Sequence, residues 1–409
     1  MGRPPTPEGP GTASTVNALT IDVEDYFQVS AFEAVCDPST WPGRECRVEA
    51  NTHRVLELLA ERGVRATFFV LGWVAERFPG LARAVAAAGH EVASHGYGHR
   101  RVCTQTREEL REDLRRSKGL LEDQAGAAVL GYRAPSYSVG PTCLWAFDEL
   151  VEAGFAYDSS VFPVRHDLYG IDDWPRFPFW LERLDEGEAR TPGRWDAGTR
   201  GGGKAGVLEG QGNWVPAEAD PSAPVLLASP PLIQPASAVS LPPRGRAGVG
   251  ALAPVSQPPN GQVRPTLLEI PITTLRLGGR NWPIAGGGYF RLFPYRFTRW
   301  GLKRINEREG QPFVFYLHPW ELDPDQPRIE GAGLKSRLRH YLNLNRTEGR
   351  FRRLLQDFRF APIRDAIPGT SQPPAFHDPP PPRLPPPSPS PTGGGSGWGR
   401  HVPPKGVSP

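Results

Sequence analysis

Two histidines four residues apart, His95 and His99, stand in the segment Ser94-His95-Gly96-Tyr97-Gly98-His99. In a helix or a tight turn this spacing lets both imidazoles face one ion, and imidazole nitrogen suits zinc and other borderline divalent metals. The same spacing also occurs between surface histidines that bind nothing. The pair therefore indicates a metal site only if further ligands fold beside it.

Three carboxylates follow one another closely in Asp22-Val23-Glu24-Asp25, at the end of a predicted strand. Side chains i and i+2 of a strand point to the same face, so Asp22 and Glu24 can both face one site while Val23 packs behind them. One carboxylate could complete a metal site made with two histidines, and the other could accept a proton from an activated water. The alternative is a solvated acidic strand end.

Arg133 and His318 each follow a predicted strand, in Gly131-Tyr132-Arg133-Ala134-Pro135 and in the apolar run Phe313–Leu317 before His318. A guanidinium at a strand end can hold a carboxylate bidentately and keep it ionised. An imidazole, whose ordinary pKa lies near neutrality, could protonate a leaving amine. Taken in isolation, Arg133 could be an ordinary surface arginine, and His318 could equally be a structural histidine.

The hydrophobic pattern predicts strands and helices in alternation. Strands are predicted at Ala18–Val23, Val64–Leu71, Glu91–Ser94, Val129–Arg133, Phe155–Asp158, Leu267–Ile272 and Phe313–Leu317. Helices are predicted at Thr52–Arg62, Leu81–Ala88, Glu108–Gln124, Leu144–Ala153 and near Arg296–Glu309. Such an alternation implies a parallel sheet, and seven or eight units can close into a barrel.

The chemically active residues fall at the carboxyl ends of these strands, which is where barrels of this kind carry their chemistry. Asp22 and Glu24 end the first strand, His95 follows the third, Arg133 ends the fourth, Asp158 ends the fifth and His318 follows the seventh. Packing alone does not explain this distribution. The sequence therefore predicts an α/β fold, a distorted (β/α)-barrel of about seven strands, with one site at its mouth.

Low-complexity tracts divide the chain. Residues 186–265 contain 26 glycines and prolines among 80 residues, and residues 368–409 contain 22 among 42, so neither tract can bury enough apolar surface to order itself. We predict a disordered N-terminus at 1–16, a catalytic barrel in two parts at 17–185 and 266–367, a disordered insert between them and a disordered tail.

Composition excludes several classes of partner. A formal net charge of +3 gives no field that would attract nucleic acid, and the four cysteines form no Cys-x-x-Cys pair. No apolar run is long enough for a membrane span, and no secretory signal is visible, so we expect a cytoplasmic location. The run Gly286-Gly287-Gly288 has no following Lys-Ser/Thr and no helix pattern, so it does not predict a phosphate loop.

The order of these motifs resembles the polysaccharide deacetylases of carbohydrate esterase family 4, the NodB-homology domain. An acidic strand end is followed by His-x-x-x-His, then Arg-x-Pro, then Leu-His. The exosortase-associated branch, found beside bacterial exopolysaccharide clusters, is the most similar branch. The stretches that carry this similarity are Ile21–Phe32, His95–Arg100, Arg276–Phe290 and Phe315–Pro324.

The resemblance implies a metal-dependent hydrolase that removes N-acetyl groups from the amino sugars of a polysaccharide or a glycolipid precursor. By similarity, Asp22 is the general base, Arg133 orients it and His318 is the general acid. His95 and His99 are implied ligands of a divalent metal, expected to be Zn²⁺.

The chain departs from the family pattern at three motifs. Where the family has a second, metal-binding aspartate, this chain has Val23, so strand parity favours Glu24 as the third ligand, with Asp25 as the fallback. Ser136 follows the proline of the third motif, where the family has the tyrosine, and Tyr137 comes one residue later. The backbone N–H of Ser136 is the expected oxyanion donor.

The fourth motif is reduced to Asp158-Ser159-Ser160, without a nearby tryptophan, and Asp158 joins Ser136 and Tyr137 as an expected substrate-side residue. Two other functions remain open at this point. One is a hydrolase of the same fold that acts on a small amide such as a ureide, and the other is an inactive glycan-binding homologue.

Overall fold

A computed structural model describes residues 15–166, 170–183, 214–216 and 267–370 of the chain. The predicted disorder of the N-terminus, of nearly all of the 186–265 insert and of the tail beyond Thr370 falls outside these residues.

The strands are β1 Val16–Val23, β2 Thr67–Val70, β3 Glu91–Ser94, β4 Gly131–Tyr132, β5 Tyr157–Asp158, β6 Phe179–Arg183, β7 Trp214–Pro216, β8 Leu267–Glu269, β9 Thr274–Leu277, β10 Arg280–Pro283, β11 Val314–Leu317 and β12 Arg359–Ala361. The α-helices are α1 Val48–Ala60, α2 Gly72–Arg77, α3 Leu81–Ala87, α4 Arg107–Ala125, α5 Ala146–Glu152, α6 Gly287–Leu292, α7 Tyr295–Arg308, α8 Leu334–Tyr341, α9 Leu344–Asp357 and α10 Ile363–Ala366. Single 3₁₀ turns occur at Ser30–Phe32, Pro38–Gly43, Val102–Thr104, Pro135–Tyr137 and Pro319–Leu322.

The seven predicted strands lie side by side in one parallel sheet, in the order β11-β1-β2-β3-β4-β5-β8. The predicted α/β class is thus confirmed. The sheet continues beyond β8 through two antiparallel strands, β6 and then β7, and β12 pairs in parallel with the start of β1. These three strands were not predicted.

The parallel strands enclose a common interior. Its lower part is apolar and takes one side chain from each of six strands, together with Ile363 and Ile367 from the chain around α10. The strand residues are Ala18, Phe69, Ala93, Tyr157, Leu268 and Val314. A larger core, on the outer face, packs the same sheet against the surrounding helices. Apolar side chains therefore fill the bottom of the interior, which leaves its upper end to polar residues, as in a barrel.

The two ends of the parallel sheet are joined without strand pairing between β8 and β11 in the described residues. The Thr273 hydroxyl instead accepts the Val314 N–H at 2.8 Å, and Gly286 forms an isolated bridge with Tyr316. A Cβ on Gly286, whose φ is +137°, would lie 2.1 Å from the Tyr316 carbonyl oxygen, so only glycine permits this approach. On this side the two ends of the parallel sheet meet through these loop contacts and not through paired strands, and α6 begins at Gly287, where no helix had been predicted.

The strands β9 and β10 form a separate hairpin, joined by Gly278 and Gly279. Both glycines have left-handed φ, +58° and +76°, as a two-residue hairpin turn requires. The sequence Gly278-Gly279, within the Arg276–Phe290 stretch, is therefore a local signal for this hairpin turn.

One part of the predicted insert is ordered. Trp214–Pro216 form β7, and the Trp214 side chain is 2% exposed, packs against Phe147 and donates to Asp148 Oδ1 at 2.9 Å. The expectation of an unstructured segment throughout 186–265 is wrong at these three residues. The high glycine and proline content around Trp214 predicted no regular structure, although this short segment packs into the outer core.

Helix α4 positions the loop that follows β3. Thr106 and Glu109 form a reciprocal capping box at its start, and Gly126, with φ +65°, ends it. In its first turns Asp113 accepts the backbone N–H groups of Tyr97 and Gly98, at 2.8 and 3.1 Å. The helix thereby fixes the loop between the two histidines of the His-x-x-x-His motif.

Candidate metal centre and active site

The carboxyl ends of β1, β3, β4 and β11 meet at the upper end of the interior. Asp22 and Glu24 stand at the end of β1, His95 follows β3, Arg133 follows β4 and His318 follows β11. The side chains of all five are nearly or fully buried, with His318 the most accessible at 17%. Strand topology therefore gathers residues that lie up to 296 positions apart in the chain.

Glu24, His95 and His99 form a set that could hold a metal ion, since each offers one ligand atom and these atoms lie within 4.8 Å of one another. The His95 Nδ1–H donates to the Arg133 carbonyl oxygen at 2.8 Å, which leaves Nε2 as the free ligand nitrogen. Glu24 Oε2 is buried and makes no hydrogen bond, although His99 Nε2 lies 2.6 Å away. A buried carboxylate oxygen grouped with two imidazoles fits a divalent cation.

Electrostatics favour the protonation states that metal binding needs. Burial disfavours the Glu24 carboxylate, but the nearby His99 and His318 outweigh this effect and lower its pKa to about 2. Burial lowers the pKa of His95 to about 4, against the opposing pull of Asp22. At neutral pH the site therefore presents an ionised carboxylate and a neutral imidazole.

Asp25 does not belong to this set. Its carboxylate accepts the backbone N–H groups of Arg47 and Val48 at the start of α1, at 2.7 and 3.0 Å, and that of Tyr26 at 2.9 Å. Burial raises its pKa to about 6 despite these hydrogen bonds. Strand parity thus holds at this point of the chain: Glu24 faces the histidines, and Asp25 turns to the helix N-terminus, where an acidic group is favoured.

Asp22 is held at both oxygens. Arg133 Nη1 donates to Oδ1 at 2.6 Å, and the Tyr137 hydroxyl donates to Oδ2 at 3.2 Å. Arg133 is itself fully buried and fixed, because it also donates to the Thr20 hydroxyl and to the carbonyl and hydroxyl oxygens of Ser159. The contact with Asp22 uses one nitrogen, so the bidentate pairing expected from the sequence is replaced by a shared arrangement with Tyr137.

His318 faces both carboxylates of β1. Its Nε2 lies 3.9 Å from Asp22 Oδ2 and 3.6 Å from Glu24 Oε1. On the other side of the ring, Nδ1 lies 2.7 Å from Glu321 Oε1, and Glu321 Oε2 accepts from Arg291 Nε at 2.7 Å. Burial lowers the pKa of His318, but Glu24, Glu321 and Asp22 outweigh it and raise the pKa to about 9.

A stack of three rings supports this side of the site. His318 lies against Trp320 with ring centroids 5.2 Å apart, and Trp320 lies against His340 at 4.1 Å. The Trp320 Nε1–H also donates to Glu24 Oε1 at 3.2 Å. Trp320 therefore orients Glu24 and His318 together.

Of the three residues predicted to face the substrate, Asp158 and Tyr137 instead bind protein groups, and Ser136 is partly exposed. Asp158 is fully buried, and its carboxylate accepts the Ser160 hydroxyl at 2.6 Å and the Ser160 backbone N–H at 3.2 Å, so it cannot contact a substrate in this conformation. Tyr137 serves Asp22, as described above. Ser136 is partly exposed, has φ +56° and contacts Ser30 through their hydroxyl groups.

Sequence reasoning missed Glu321, Trp320 and Arg291. Glu321 stands three residues after His318, the spacing of a capping box, and its carboxylate does accept the His318 N–H at 3.1 Å. That spacing was a usable signal for Glu321. Arg291 had none, because its contact depends on how α6 packs.

Comparison with protein families finds two matches along the chain. Residues 40–150 match the polysaccharide deacetylase family, and residues 240–368 match a domain of unknown function, DUF3473. The first range contains His95, His99 and Arg133, and the second contains His318 and Glu321. The site is therefore assembled from both matched regions and from β1, which precedes them.

Curated relatives include deacetylases. A peptidoglycan deacetylase of Helicobacter pylori is 30% identical over 34% of this chain and 47% of its own length. A chitooligosaccharide deacetylase of Sinorhizobium fredii is 39% identical over 31% of this chain and 54% of its own length. This chain spans between 30% and 47% of the first three curated relatives that it matches.

Among solved structures, a polysaccharide deacetylase from Mycobacterium smegmatis, described as putative, aligns over 92% of this chain and 99% of its own, at 16% identity and a TM-score of 0.44. The family match over residues 40–150 and the curated relatives agree on one assignment. Residues 40–150 of this chain are thus similar to the polysaccharide deacetylase family.

Proposed function

We propose that this protein is a metal-dependent hydrolase that removes N-acetyl groups from the amino sugars of a polysaccharide or its precursor. One observation carries the proposal: the metal-ligand set Glu24, His95 and His99 lies beside two oppositely suited groups, the Asp22 carboxylate and the His318 imidazole. A general base and a general acid beside a metal site can together catalyse amide hydrolysis.

Glu24, His95 and His99 would hold the metal, and Zn²⁺ suits one carboxylate and two imidazoles with an open position. When bound, the ion would polarise the acetyl carbonyl and lower the pKa of a water molecule. Three protein ligands and an open position are the pattern of a catalytic site, whereas structural zinc sites use four protein ligands.

Asp22 acts as the general base. Arg133 donates to Oδ1 at 2.6 Å, whereas Oδ2 accepts the longer hydrogen bond from Tyr137, at 3.2 Å, and faces His318, so Oδ2 is the oxygen that takes the proton from the attacking water. The hydroxyl oxygen of that water forms the new bond to the acetyl carbon. Arg133 and Tyr137 fix the orientation of the carboxylate, which saves reorganisation during the reaction.

His318 acts as the general acid. Its Nδ1–H is engaged by Glu321, so the proton on Nε2 is the one delivered to the sugar nitrogen as the carbon–nitrogen bond breaks. The products are acetate and a free amino sugar. The Ser136 N–H, next to Pro135 in a left-handed turn, is our candidate for the backbone donor to the tetrahedral oxygen.

The substrate class rests on similarity. The relatives named above are a peptidoglycan deacetylase and a chitooligosaccharide deacetylase. Together with the four stretches that resemble the exosortase-associated branch, they support an N-acetylated glycan or glycolipid of bacterial exopolysaccharide biosynthesis as the substrate.

A substrate panel tests this proposal. Purified full-length protein is incubated with chitooligosaccharides, peptidoglycan fragments, N-acetylated exopolysaccharide and small amides including allantoin, and the acetate released from the glycans and the loss of each small amide, including ring opening of allantoin, are measured. We expect acetate from at least one glycan, at a rate that falls by about 10²–10⁴-fold with Asp22→Asn. Turnover of the small amides alone would favour the ureide-type hydrolase, and glycan binding without acetate release would favour an inactive homologue.

A further inference from the structure

Helix α8 presents two leucines to solvent close to the candidate active site. Leu334 and Leu338 are 82% and 63% exposed, the two highest values among the large apolar side chains of the described residues. They stand one helical turn apart, so they form one apolar face. Burying such a face stabilises a complex by removing apolar surface from water, so the face indicates that something covers it.

The leucines border an open groove of 460 Å³. Leu342 and Tyr341 line it with them, and Arg328 and Arg337 bring positive charge to its edge. The Arg328 guanidinium lies over the Tyr341 ring, 4.0 Å from its centroid. The groove is therefore lined by both apolar and cationic side chains.

All charged residues of α8 are basic. Between Gly331 and Thr347 the chain has Lys335, Arg337, Arg339 and Arg346 and no acidic residue. None of these four is in a salt bridge within the described part of the chain, whereas on the next helix, α9, Arg352 pairs with Glu61 and Glu348. Arg352 of α9 therefore pairs with neighbouring acidic residues, whereas Lys335, Arg337 and Arg339 of α8 and Arg346 at the start of α9 are left to attract an anion.

We infer that α8 docks on an anionic lipid bilayer, with Leu334 and Leu338 entering the headgroup boundary and Lys335, Arg337 and Arg339 contacting lipid phosphates. Apolar side chains on one face of a basic helix are the pattern of a helix that lies in a membrane interface. A second copy of the chain would bring the same positive charges to the contact. The chain beyond Thr370, with Asp378 against Arg383, Arg400 and Lys405, is also basic.

The position of α8 gives docking a consequence for the site. His340, in the last turn of α8, is buried and stacks on Trp320, which donates to Glu24. Phe32, which ends the 3₁₀ turn Ser30–Phe32, packs against the His340 ring. The first residue of that turn, Ser30, contacts the Ser136 hydroxyl. A docked α8 therefore holds the candidate active site at the lipid surface, where a lipid-linked glycan would be presented.

Vesicle binding tests the inference without any assay of catalysis, so its outcome is separable from that of the proposed hydrolase. Full-length protein is sedimented with phosphatidylcholine vesicles with and without phosphatidylglycerol, at low and high salt. We expect binding to the anionic vesicles alone, weakened by salt because exposed charges are screened. Absence of binding to anionic vesicles at low salt would overturn the inference.

Matched variants locate the surface. Leu334→Ser/Leu338→Ser should weaken binding by about ten-fold or more, and Arg337→Gln/Arg339→Gln by roughly five-fold per charge. The control Arg62→Gln/Arg83→Gln removes the same charge from exposed positions on other elements and should bind like the wild type. Circular dichroism checks that each variant is folded. Equal binding by all variants, or a dimer that the leucine variant splits without any vesicle binding, would refute docking through α8.

Discussion

His318 Nδ1 and Glu321 Oε1 lie 2.7 Å apart, and the same carboxylate binds the buried guanidinium of Arg291 through its second oxygen. The three residues form a chain of alternating charge that ends at the ring which faces Asp22 and Glu24. Glu321 fixes the tautomer and orientation of His318, and Arg291 holds Glu321 in its ionised form by keeping its pKa below the usual range, against the burial that would raise it.

The first prediction concerns this chain of charges. Glu321→Gln should lower kcat by on the order of 10- to 100-fold with little change in KM and unchanged metal content, because general acid catalysis is impaired while binding is not. It should also cost about 3–5 kcal/mol of stability, since Arg291 is left buried and unpaired.

The double variant Arg291→Met/Glu321→Gln separates the two effects. Removal of the buried cation should restore much of the lost stability, measured by urea denaturation, without restoring kcat. Recovery of kcat together with stability would mean that Glu321 acts only on the fold.

The second prediction separates the carboxylates of the first motif. Asp22→Asn should retain metal and lose about 10²–10⁴-fold in rate, because the base is gone. Glu24→Gln should lose both metal and rate. Asp25→Asn is the matched control, and we expect it to keep metal and lose only about 1 kcal/mol of stability as a helix-capping change. Metal lost from the Asp25 variant and kept by the Glu24 variant, by elemental analysis, would reverse the assignment.

The third prediction concerns the histidine pair. His95→Ala and His99→Ala should each strip the metal and abolish activity, and circular dichroism should show the fold retained, because the apolar interior lies below the site. His53→Ala, an exposed histidine on α1, is the control for nonspecific loss of metal. A metal content that stays at the wild-type level in both site variants would rule this site out.

The fourth prediction concerns β7. Trp214→Ala should destabilise the protein by about 3–5 kcal/mol, the usual cost of removing a buried tryptophan. Val215→Ala, next to it and partly exposed, should cost much less. Deletion of 186–264 removes Trp214 and should lower the melting temperature, whereas deletion of 217–264 should leave it nearly unchanged. Equal melting temperatures for the two deletions would show that β7 does not support the core.

The fifth prediction is a pH effect on stability. Burial, aided by Arg65, lowers the pKa of His90 to about 4, and its Nδ1 accepts the Ala66 N–H at 3.1 Å. Between about pH 6.5 and pH 4 the unfolded chain binds a proton that the folded chain rejects, so stability falls as pH falls through this window. His90→Gln should flatten part of that slope, on the order of 2 kcal/mol, while His53→Gln should not. Identical slopes in urea denaturation for all three proteins would contradict this account.

Much of the fold was predictable because parallel strands buried on both faces are short apolar runs that alternate with amphipathic helices. β3 was predicted with its observed bounds, and β1, β2, β8 and β11 to within three residues at each end. The strand β7 was not predictable by the same reasoning, because three residues show no period. The hairpin β9–β10 was not predicted, although the Gly278-Gly279 pair is typical of a two-residue hairpin turn.

The same limits explain what was missed at the site. Period-2 geometry was enough to separate Glu24 from Asp25, and strand ends brought Asp22, Arg133 and His318 to one mouth. Asp158 was misjudged because a side chain at a strand end can also be buried among protein groups, and here Ser160 donates both its hydroxyl and its backbone N–H to the Asp158 carboxylate. Contacts made by side chains between layers, such as that of Arg291 with Glu321, have no local pattern.

The most direct test of the whole account is one cycle of metal removal and return. Acetate release from an N-acetylated oligosaccharide that the protein turns over is measured on the purified protein, after chelation and dialysis, and after addition of Zn²⁺. The account predicts that activity disappears with the metal, returns with about one ion bound per chain, and does not return in Glu24→Gln. Acetate release that persists in the metal-free protein would contradict it.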